Sequence, residues 1–302
     1  MDDTNLATDA SERRAVRKTT VAARRAYTAA RRAANAERDA ERLALARPDS
    51  GGLTIPPEDG FLRVPPGPLA DVVEPVLAAG NRLIEDLGHK TLVRSAPKGD
   101  FVARGFLPPE AFALDSPYFR LALDPRVLGA VTAYLGVVPI LTEVDLWYSV
   151  FNRRAPKSSQ LWHMDPEDTT QIKLWLHLSD IGPASGPFTC LRASDSAVLA
   201  DAVGYDYGDG YRVPDERVTP LFGPDRLVAF EGPAGTADFV DTSRCFHFGS
   251  RIAEGATPRR ALVIQYQTPY AFEFANYRKE APFRALATAS QSRLEILALG
   301  AA

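Results

Sequence analysis

The stretch QIKLWLHLS, residues 171–179, decides how the fold is interpreted. Aliphatic residues alternate with polar and aromatic ones: Ile172, Leu174, Leu176 and Leu178 against Lys173, Trp175, His177 and Ser179. Successive side chains of a β-strand point to opposite faces of its sheet. The pattern therefore predicts a strand with one aliphatic face, which suits packing against helices, and one polar-aromatic face, which suits a lined cavity.

The segments around this strand indicate a mixed architecture. After about residue 138 the chain contains short strand-like segments separated by Pro, Gly and Asp, as in a β-sandwich or barrel. They include SQLWHM at 159–164 and FTCLRA at 188–193. Residues 53–140 are mainly helical in pattern, with Pro75 a kink or break in a helix over 68–88 and a second helix over 125–136. Residues 281–300 resemble a closing helix. We predict an α+β fold with helices packed on one face of a β-sandwich.

The N-terminal segment differs in composition from the rest. Residues 11–47 are rich in Ala and Arg and contain no Gly or Pro, which favours a helix. Arginine pairs recur at 13/14, 24/25 and 31/32 on one helical face, and the opposite face is mostly Ala. We therefore interpret residues 1–50 as a solvated helical extension and linker, and 51–302 as the main domain. The alternative is an arm that binds an acidic partner, a phosphate-bearing ligand or a neighbouring subunit.

Composition excludes several classes of protein. The chain has 302 residues, of which 45% are hydrophobic and 24% charged, and a net charge of −3. This charge gives no basic signal for nucleic acid binding. No apolar run of about 18 residues predicts a membrane span, and no signal peptide is visible. Two cysteines, Cys190 and Cys245, do not suggest a disulfide framework, so we expect a cytoplasmic protein.

The stretch QLWHMDPED, residues 160–168, carries the candidate chemistry. In a strand, His163 and Asp165 point to the same side, although such a pair alone is weak evidence. A distant His247 completes the pattern of two histidines and one carboxylate that holds non-haem Fe(II). Such a site leaves positions open for dioxygen and a bidentate oxoacid such as 2-oxoglutarate. The oxoacid's far carboxylate requires a cation, and Arg259 follows His247 at the start of a predicted strand.

Three segments together resemble the phytanoyl-CoA dioxygenase-like family of Fe(II)/2-oxoglutarate-dependent oxygenases, and the resemblance spans about residues 140–270. They are QLWHMD at 160–165, LWLHLSDIGPASGPFTCLRAS at 174–194 and CFHFGSRIAEGATPRRALVIQY at 245–266. The resemblance implies a double-stranded β-helix, or jelly roll. It also implies that His163, Asp165 and His247 are the catalytic iron ligands and that Arg259 anchors 2-oxoglutarate.

This chain departs from the family pattern at two places. TCLRASDS stands where the family usually has PGSH, which indicates a reshaped loop. Arg260 directly follows Arg259, so the anchor could be either residue, and strand alternation allows only one of them to point inward.

The resemblance suggests further residues for co-substrate binding. A family aromatic near residue 175 contacts 2-oxoglutarate, which makes Trp175 a candidate, and Ser250 could approach the co-substrate carboxylate. Lys173 and His177 share the face of Trp175 and are additional candidates. For His177 the alternative is an interior histidine with a hydrogen-bond partner.

The implied activity is that of a dioxygenase that uses Fe(II), 2-oxoglutarate and dioxygen. We expect it to hydroxylate a C–H bond of a small-molecule or carrier-bound substrate, whose identity the sequence leaves open. One alternative is a cupin-like metal enzyme without 2-oxoglutarate, which would not need Arg259. Another is a non-catalytic binding or scaffold protein that acts through the basic N-terminal helix and would not depend on His163.

Overall fold

Six helices lie in the first half of the chain in the computed structural model, which describes residues 12–94, 101–208 and 211–301. They are α1 Val21–Ala34, α2 Ala40–Ala44, α3 Ala70–Leu87, α4 His89–Arg94, α5 Pro117–Ala122 and α6 Pro125–Leu135. Helix α6 begins and ends where its sequence predicts: the Asp124 side chain caps its first turn, and Gly136 follows its last residue with φ 63°. Helix α3 continues past Pro75, so the predicted break is not observed.

A six-stranded antiparallel sheet forms the centre of the structure, with strand order β1-β7-β4-β9-β3-β2. Its strands are β1 Phe61–Val64, β2 Val102–Ala103, β3 Ile140–Ser149, β4 Gln171–His177, β7 Ala237–Asp241 and β9 Arg259–Gln267. A second sheet has the order β6-β5-β8, from β5 Thr189–Cys190, β6 Val228–Ala229 and β8 His247–Phe248. The second sheet is far shorter, with two residues per strand.

The two faces of the large sheet have different partners, as the alternation in β4 predicts. Ile172, Leu174, Leu176 and Leu178 belong to a buried cluster that also contains Val76 of α3, Phe119 of α5 and Leu128 of α6. Trp175 belongs to a separate cluster with Phe188 and Phe230, beside the second sheet. The predicted α+β class, with helices on one face, is confirmed.

Some predicted elements are shorter than expected. Residues 159–164 form no continuous strand: a short 3₁₀ turn, Ser158–Gln160, is followed by single bridges at Trp162 and His163. The predicted strand after Phe188 covers two residues, and helix α7, Ala193–Val203, follows at once. Helix α8 is Asp215–Val218, and the closing helix α9 covers only Arg293–Ala298.

Helix α1 is exposed over most of its length, but Arg24 is 1% exposed and fixes the helix to the rest of the chain. Its guanidinium donates hydrogen bonds to the carbonyl oxygens of Pro166 at 2.8 Å and Asp168 at 3.1 Å. It also lies over the rings of Tyr207, at 3.8 Å, and Phe272, at 4.4 Å. The predicted solvated extension did not include this contact because it counted only apolar burial, whereas an arginine can be buried by satisfying its donors and stacking on aromatic rings.

Other arginines fix the same segment to the rest of the chain. In α2, Arg42 is 7% exposed and donates to the carbonyl of Val138 at 3.1 Å. Arg17 forms an ion pair with Glu273 at 2.6 Å. A division of the chain at residue 50 stays a prediction, and residues 1–11 of the predicted extension lie outside the described residues.

Two expectations from composition can be compared with the structure. Among the described residues, no helix combines the length and the hydropathy that crossing a membrane requires. Both cysteines, Cys190 and Cys245, are buried and free.

Candidate active site

His163 and His247 meet in an isolated antiparallel bridge at the edge of the second sheet. Each residue donates its backbone N–H to the other's carbonyl, at 3.0 and 2.9 Å. The centres of their rings are 4.2 Å apart. Each Nδ1–H donates to the carbonyl two residues earlier, at Leu161 and Cys245, at 2.8 and 2.9 Å. This bonding assigns the proton to Nδ1 and leaves both Nε2 lone pairs free.

Asp165 lies beside the two imidazoles. Its Oδ1 is 3.6 Å from Nε2 of His163 and 3.8 Å from Nε2 of His247. One ligand atom from each of the three residues falls within 4.8 Å of the others, and all three residues are buried. The backbone N–H of Asp165 donates to the carbonyl of Thr242 at 2.8 Å, which fixes the segment that carries the carboxylate.

Burial and a nearby lysine set the charges of this cluster. Burial lowers the pKa of His163 well below its usual value and that of His247 to about 4. Burial alone would raise the pKa of Asp165, but Lys173, 2.8 Å from Oδ2, together with His247 and His163 outweighs burial and lowers the pKa. At neutral pH the cluster therefore contains two neutral imidazoles and one carboxylate, the protonation state in which these groups bind a metal.

Arg259 lies in the wall of the same cavity and is 3% exposed. Its guanidinium donates to the carbonyl of Gly186 at 2.9 Å and to Ser250 Oγ at 2.8 Å, with Ser149 Oγ 3.5 Å away. Burial lowers its pKa to about 10, so it remains a cation at neutral pH. No carboxylate within the described ranges forms an ion pair with this buried cation.

Arg260 points the other way. Its guanidinium donates to Asn81 Oδ1 at 3.1 Å and lies 3.7 Å from Glu85 Oε1, both on α3. Strand β9 therefore separates the two neighbours, with Arg259 facing the cavity and Arg260 facing the helices.

Trp175 and Ser250, both predicted to bind the co-substrate, line the cavity with Arg259. The ring of Trp175 is 5.7 Å from the Arg259 guanidinium carbon, and its buried Nε1–H has no acceptor in the part of the chain that the structure describes. Ser250 has a φ of 60°, uncommon for a residue with a side chain. Gln160 donates to its carbonyl at 2.8 Å, which helps to hold this conformation.

His177 is an interior histidine, which agrees with the burial in the alternative interpretation; its predicted hydrogen-bond partner stays a prediction. It is 2% exposed, and its Nε2 is 2.8 Å from Asp238 Oδ2. It does not belong to the cluster of His163, Asp165 and His247.

Several residues of the cavity were not identified from the sequence. Phe188 stacks on the His247 ring at 4.9 Å, and Trp147 packs edge-on against Trp175 at 5.1 Å. The alternation in β3 places Trp147 and Ser149 on one face, and this signal could have found them. Phe188 and Gly186 lie in a loop that carries no such pattern. The side chains and glycine that line the cavity are Trp147, Ser159, His163, Asp165, Lys173, Trp175, Phe188, His247, Gly249, Ser250 and Arg259.

Comparison with solved structures identifies proteins of similar fold. EctD from S. alaskensis in its apoform is 20% identical over 75% of this chain and 79% of that chain, with a TM-score of 0.50. EctD with bound Fe is 20% identical over 76% and 80%, also at 0.50. The epimerase SnoN in complex with Fe3+, alpha ketoglutarate and nogalamycin RO is 21% identical over 81% and 86%, at 0.48.

At this identity the likeness to EctD shows a shared fold and no more. EctD has also been solved with 2-oxoglutarate and 5-hydroxyectoine. No protein-family model and no curated protein matches the chain.

Proposed function

We propose that this chain is an Fe(II)- and 2-oxoglutarate-dependent dioxygenase that hydroxylates a C–H bond of a small-molecule or carrier-bound substrate. One observation carries the proposal: the cavity that contains His163, Asp165 and His247 also contains the buried Arg259, which has no carboxylate partner in the described ranges. A buried cation without an anion is costly, so an anionic ligand is expected there.

The three ligands fit iron by their chemistry. Two imidazoles and one carboxylate on one side are the donor set of non-haem Fe(II) sites. Ligand atoms on one ion at about 2.1 Å lie at most about 4.2 Å apart. The distances from Asp165 Oδ1 to the two imidazole nitrogens, 3.6 and 3.8 Å, satisfy this limit. Both imidazoles are already oriented by their Nδ1–H bonds, which lowers the cost of binding.

The opposite wall suits 2-oxoglutarate. The Arg259 guanidinium would pair with the far carboxylate of 2-oxoglutarate. Ser250 Oγ, which lies 2.8 Å from the guanidinium, would add a hydroxyl donor to the same carboxylate. Ser149 Oγ lies 3.2 Å from Ser250 Oγ and completes a polar group around the cation. The free Nε1–H of Trp175 is a further donor inside the cavity. These groups would hold the oxoacid and fix its orientation.

The bound iron would supply the oxidation of the substrate by dioxygen, coupled to conversion of 2-oxoglutarate to succinate and CO₂. The chain's own residues would hold both components and exclude water. Trp147, Trp175 and Phe188 form the apolar part of the lining, which limits the access of solvent to the reacting groups.

The finer architecture also belongs to this proposal. We infer that the two sheets form the jelly roll of such oxygenases, with the cavity between them. The placement of Trp175, from the large sheet, and His247, from the short one, around one cavity supports this arrangement. The shared fold of EctD, solved with bound Fe, supports an iron site in the same fold.

A cytoplasmic location and association through the N-terminal helix remain proposals. The free cysteines agree with a reducing compartment. Because Arg24 is buried against the chain, binding of a partner through α1 would have to use exposed arginines of that segment such as Arg25.

Anaerobic reconstitution with Fe(II), followed by addition of dioxygen and 2-oxoglutarate with a metabolite library, tests the proposal. Succinate formation that requires Fe(II), and that a library member stimulates, is the expected result. A cupin-like enzyme would turn over a substrate without forming succinate and would be unaffected by loss of Arg259. A scaffold protein would form no succinate with any substrate, and its binding to partners would survive loss of His163.

A further inference from the structure

Lys173 is a buried lysine on the cavity face of β4. It is 8% exposed and shares that face with Gln171 and Trp175. A lysine is rarely buried unless an anion compensates its charge. Its Nζ donates to Asp165 Oδ2 at 2.8 Å, which identifies the compensating group. Lys173 therefore contacts a predicted metal ligand directly.

The two oxygens of Asp165 have different neighbours. Oδ1 faces the imidazole nitrogens of His163 and His247, at 3.6 and 3.8 Å. Oδ2 faces the large sheet, where it accepts from Lys173 at 2.8 Å and from Gln171 Nε2 at 3.4 Å. Oδ1 is thus directed towards the candidate metal position, and Oδ2 accepts hydrogen bonds from the protein.

Gln171, the second donor to Asp165 Oδ2, is itself held in place by hydrogen bonds. The Gln171 amide donates to Thr242 Oγ1 at 2.9 Å and accepts from Gln265 Nε2 at 3.0 Å. These bonds extend from the Asp165 carboxylate into β4 and β9. A ligand connected in this way to a rigid sheet retains its orientation before a metal binds.

We propose that Lys173 is a positioning residue for the candidate metal centre: its ammonium holds Oδ2 of Asp165, so that the carboxylate presents Oδ1 alone to the ion. The proposal rests on the metal site proposed above. Without Lys173, the carboxylate could rotate and offer either oxygen, or both, and would lose orientation at the moment of binding. Lys173 would then tune both the affinity for the metal and the coordination geometry.

Titration with Co(II) tests this role, with the visible spectrum of the bound ion as the second readout. Lys173→Met keeps a side chain of similar length without the charge. Lys90→Met, at an exposed lysine of α4, is the matched control. We expect Lys173→Met to weaken Co(II) binding by about ten- to a hundredfold and to alter the Co(II) bands. Lys90→Met should match the wild-type protein in both respects.

The outcomes separate this proposal from the one on which it rests. If wild-type protein binds Co(II) stoichiometrically and Lys173→Met gives the same Kd and the same spectrum, Lys173 does not position Asp165. If the wild-type protein binds no Co(II), the metal site itself is wrong. Should Lys173→Met fail to fold, Lys173→Leu, which also lacks a donor, is measured in its place. A wild-type Kd and spectrum in that variant would equally overturn the proposal.

Discussion

His163 and His247 are directly opposed in one antiparallel bridge, where each backbone N–H bonds to the other's carbonyl. This pairing brings two side chains that are distant in sequence to a ring separation of 4.2 Å. Replacing either imidazole with alanine leaves the backbone bonds possible. The bridge should therefore survive the loss of either side chain, which makes single substitutions a clean test of metal binding.

The first prediction concerns the three candidate ligands. His163→Ala, Asp165→Ala and His247→Ala should each abolish stoichiometric metal binding and Fe(II)-dependent turnover. Asp165→Ala should also lower the free energy of unfolding by about 3 kcal/mol or more, because it leaves the buried Lys173 without its close carboxylate. Metal titration and urea unfolding of the metal-free proteins measure both effects. Full metal binding by His247→Ala would refute the ligand set.

The second prediction concerns the two neighbouring arginines of β9. Arg259→Ala should weaken 2-oxoglutarate binding about ten- to a hundredfold, as expected for the loss of a charged hydrogen bond of about 1.5–3 kcal/mol. Arg260→Ala is the matched control, since this residue faces Asn81 and Glu85 on α3. Tryptophan fluorescence can follow the titration, because Trp175 lies 5.7 Å from the Arg259 guanidinium carbon. The reverse order of effects would show that the anchor is Arg260.

The third prediction concerns Arg24, which fixes the N-terminal segment to the rest of the chain. Arg24→Ala removes hydrogen bonds to two carbonyls of the 166–168 segment and leaves those acceptors buried. We expect the free energy of unfolding to fall by about 2–4 kcal/mol. Arg25→Ala, at the exposed neighbouring position, should change it by less than about 0.5 kcal/mol. Equal unfolding midpoints for the two variants would restore the solvated interpretation of α1.

The fourth prediction concerns the pH dependence of stability. Burial raises the pKa of Asp145 and of Asp168 to about 7. An unfolded aspartate titrates near ~3.9, so between these values the folded protein binds more protons than the unfolded chain. Stability should therefore increase as the pH falls from 8 to 6.5. The neutral buried histidines oppose this trend increasingly as the pH approaches 6.5, because the unfolded histidines gain protons there.

Urea unfolding of the metal-free protein at pH 8, 7.25 and 6.5 measures this dependence. Asp145→Asn removes one of the two acids and should make the slope in this range smaller, because the folded variant takes up fewer protons. A midpoint that falls steadily from pH 8 to 6.5 in the wild-type protein would contradict the prediction.

The sequence predicts best where side-chain periodicity determines the outcome. The alternation over residues 171–179 predicted β4, its aliphatic packing face and the cavity position of Trp175, all of which the structure contains. The same alternation predicted that only one of Arg259 and Arg260 points inward, and in β9 that residue is Arg259. The pairing of His163 with His247 was suggested by residue type, and its geometry depends on a bridge that no local pattern specifies. The metal and co-substrate roles of these residues stay predictions.

Other features could not be obtained from periodicity. The segment 159–164 was predicted as a strand, but it meets other strands only at single bridges, so its conformation depends on tertiary contacts. The burial of Arg24 depends on carbonyls of residues 166 and 168, which are distant in sequence. The loop at Gly186 and Phe188 has no repeating pattern. In each case long-range hydrogen bonding or packing, rather than local propensity, determines the structure.

The unequal length of the two sheets has a consequence for local stability. The wall that carries Trp175 and Arg259 is built from strands of seven and nine residues, whereas β8, which carries His247, has two. Short strands have few hydrogen bonds that must break together, so amide protons around His247 should exchange with solvent through smaller openings than those of β4 and β9. An ion held by His163, Asp165 and His247 would link the short sheet, which contains β8, to the Asp165 carboxylate, which Lys173 and Gln171 fix to the large sheet. A bound ion would then slow amide proton exchange chiefly in the short sheet. The geometry of the proposed metal site would become complete only as that sheet becomes ordered.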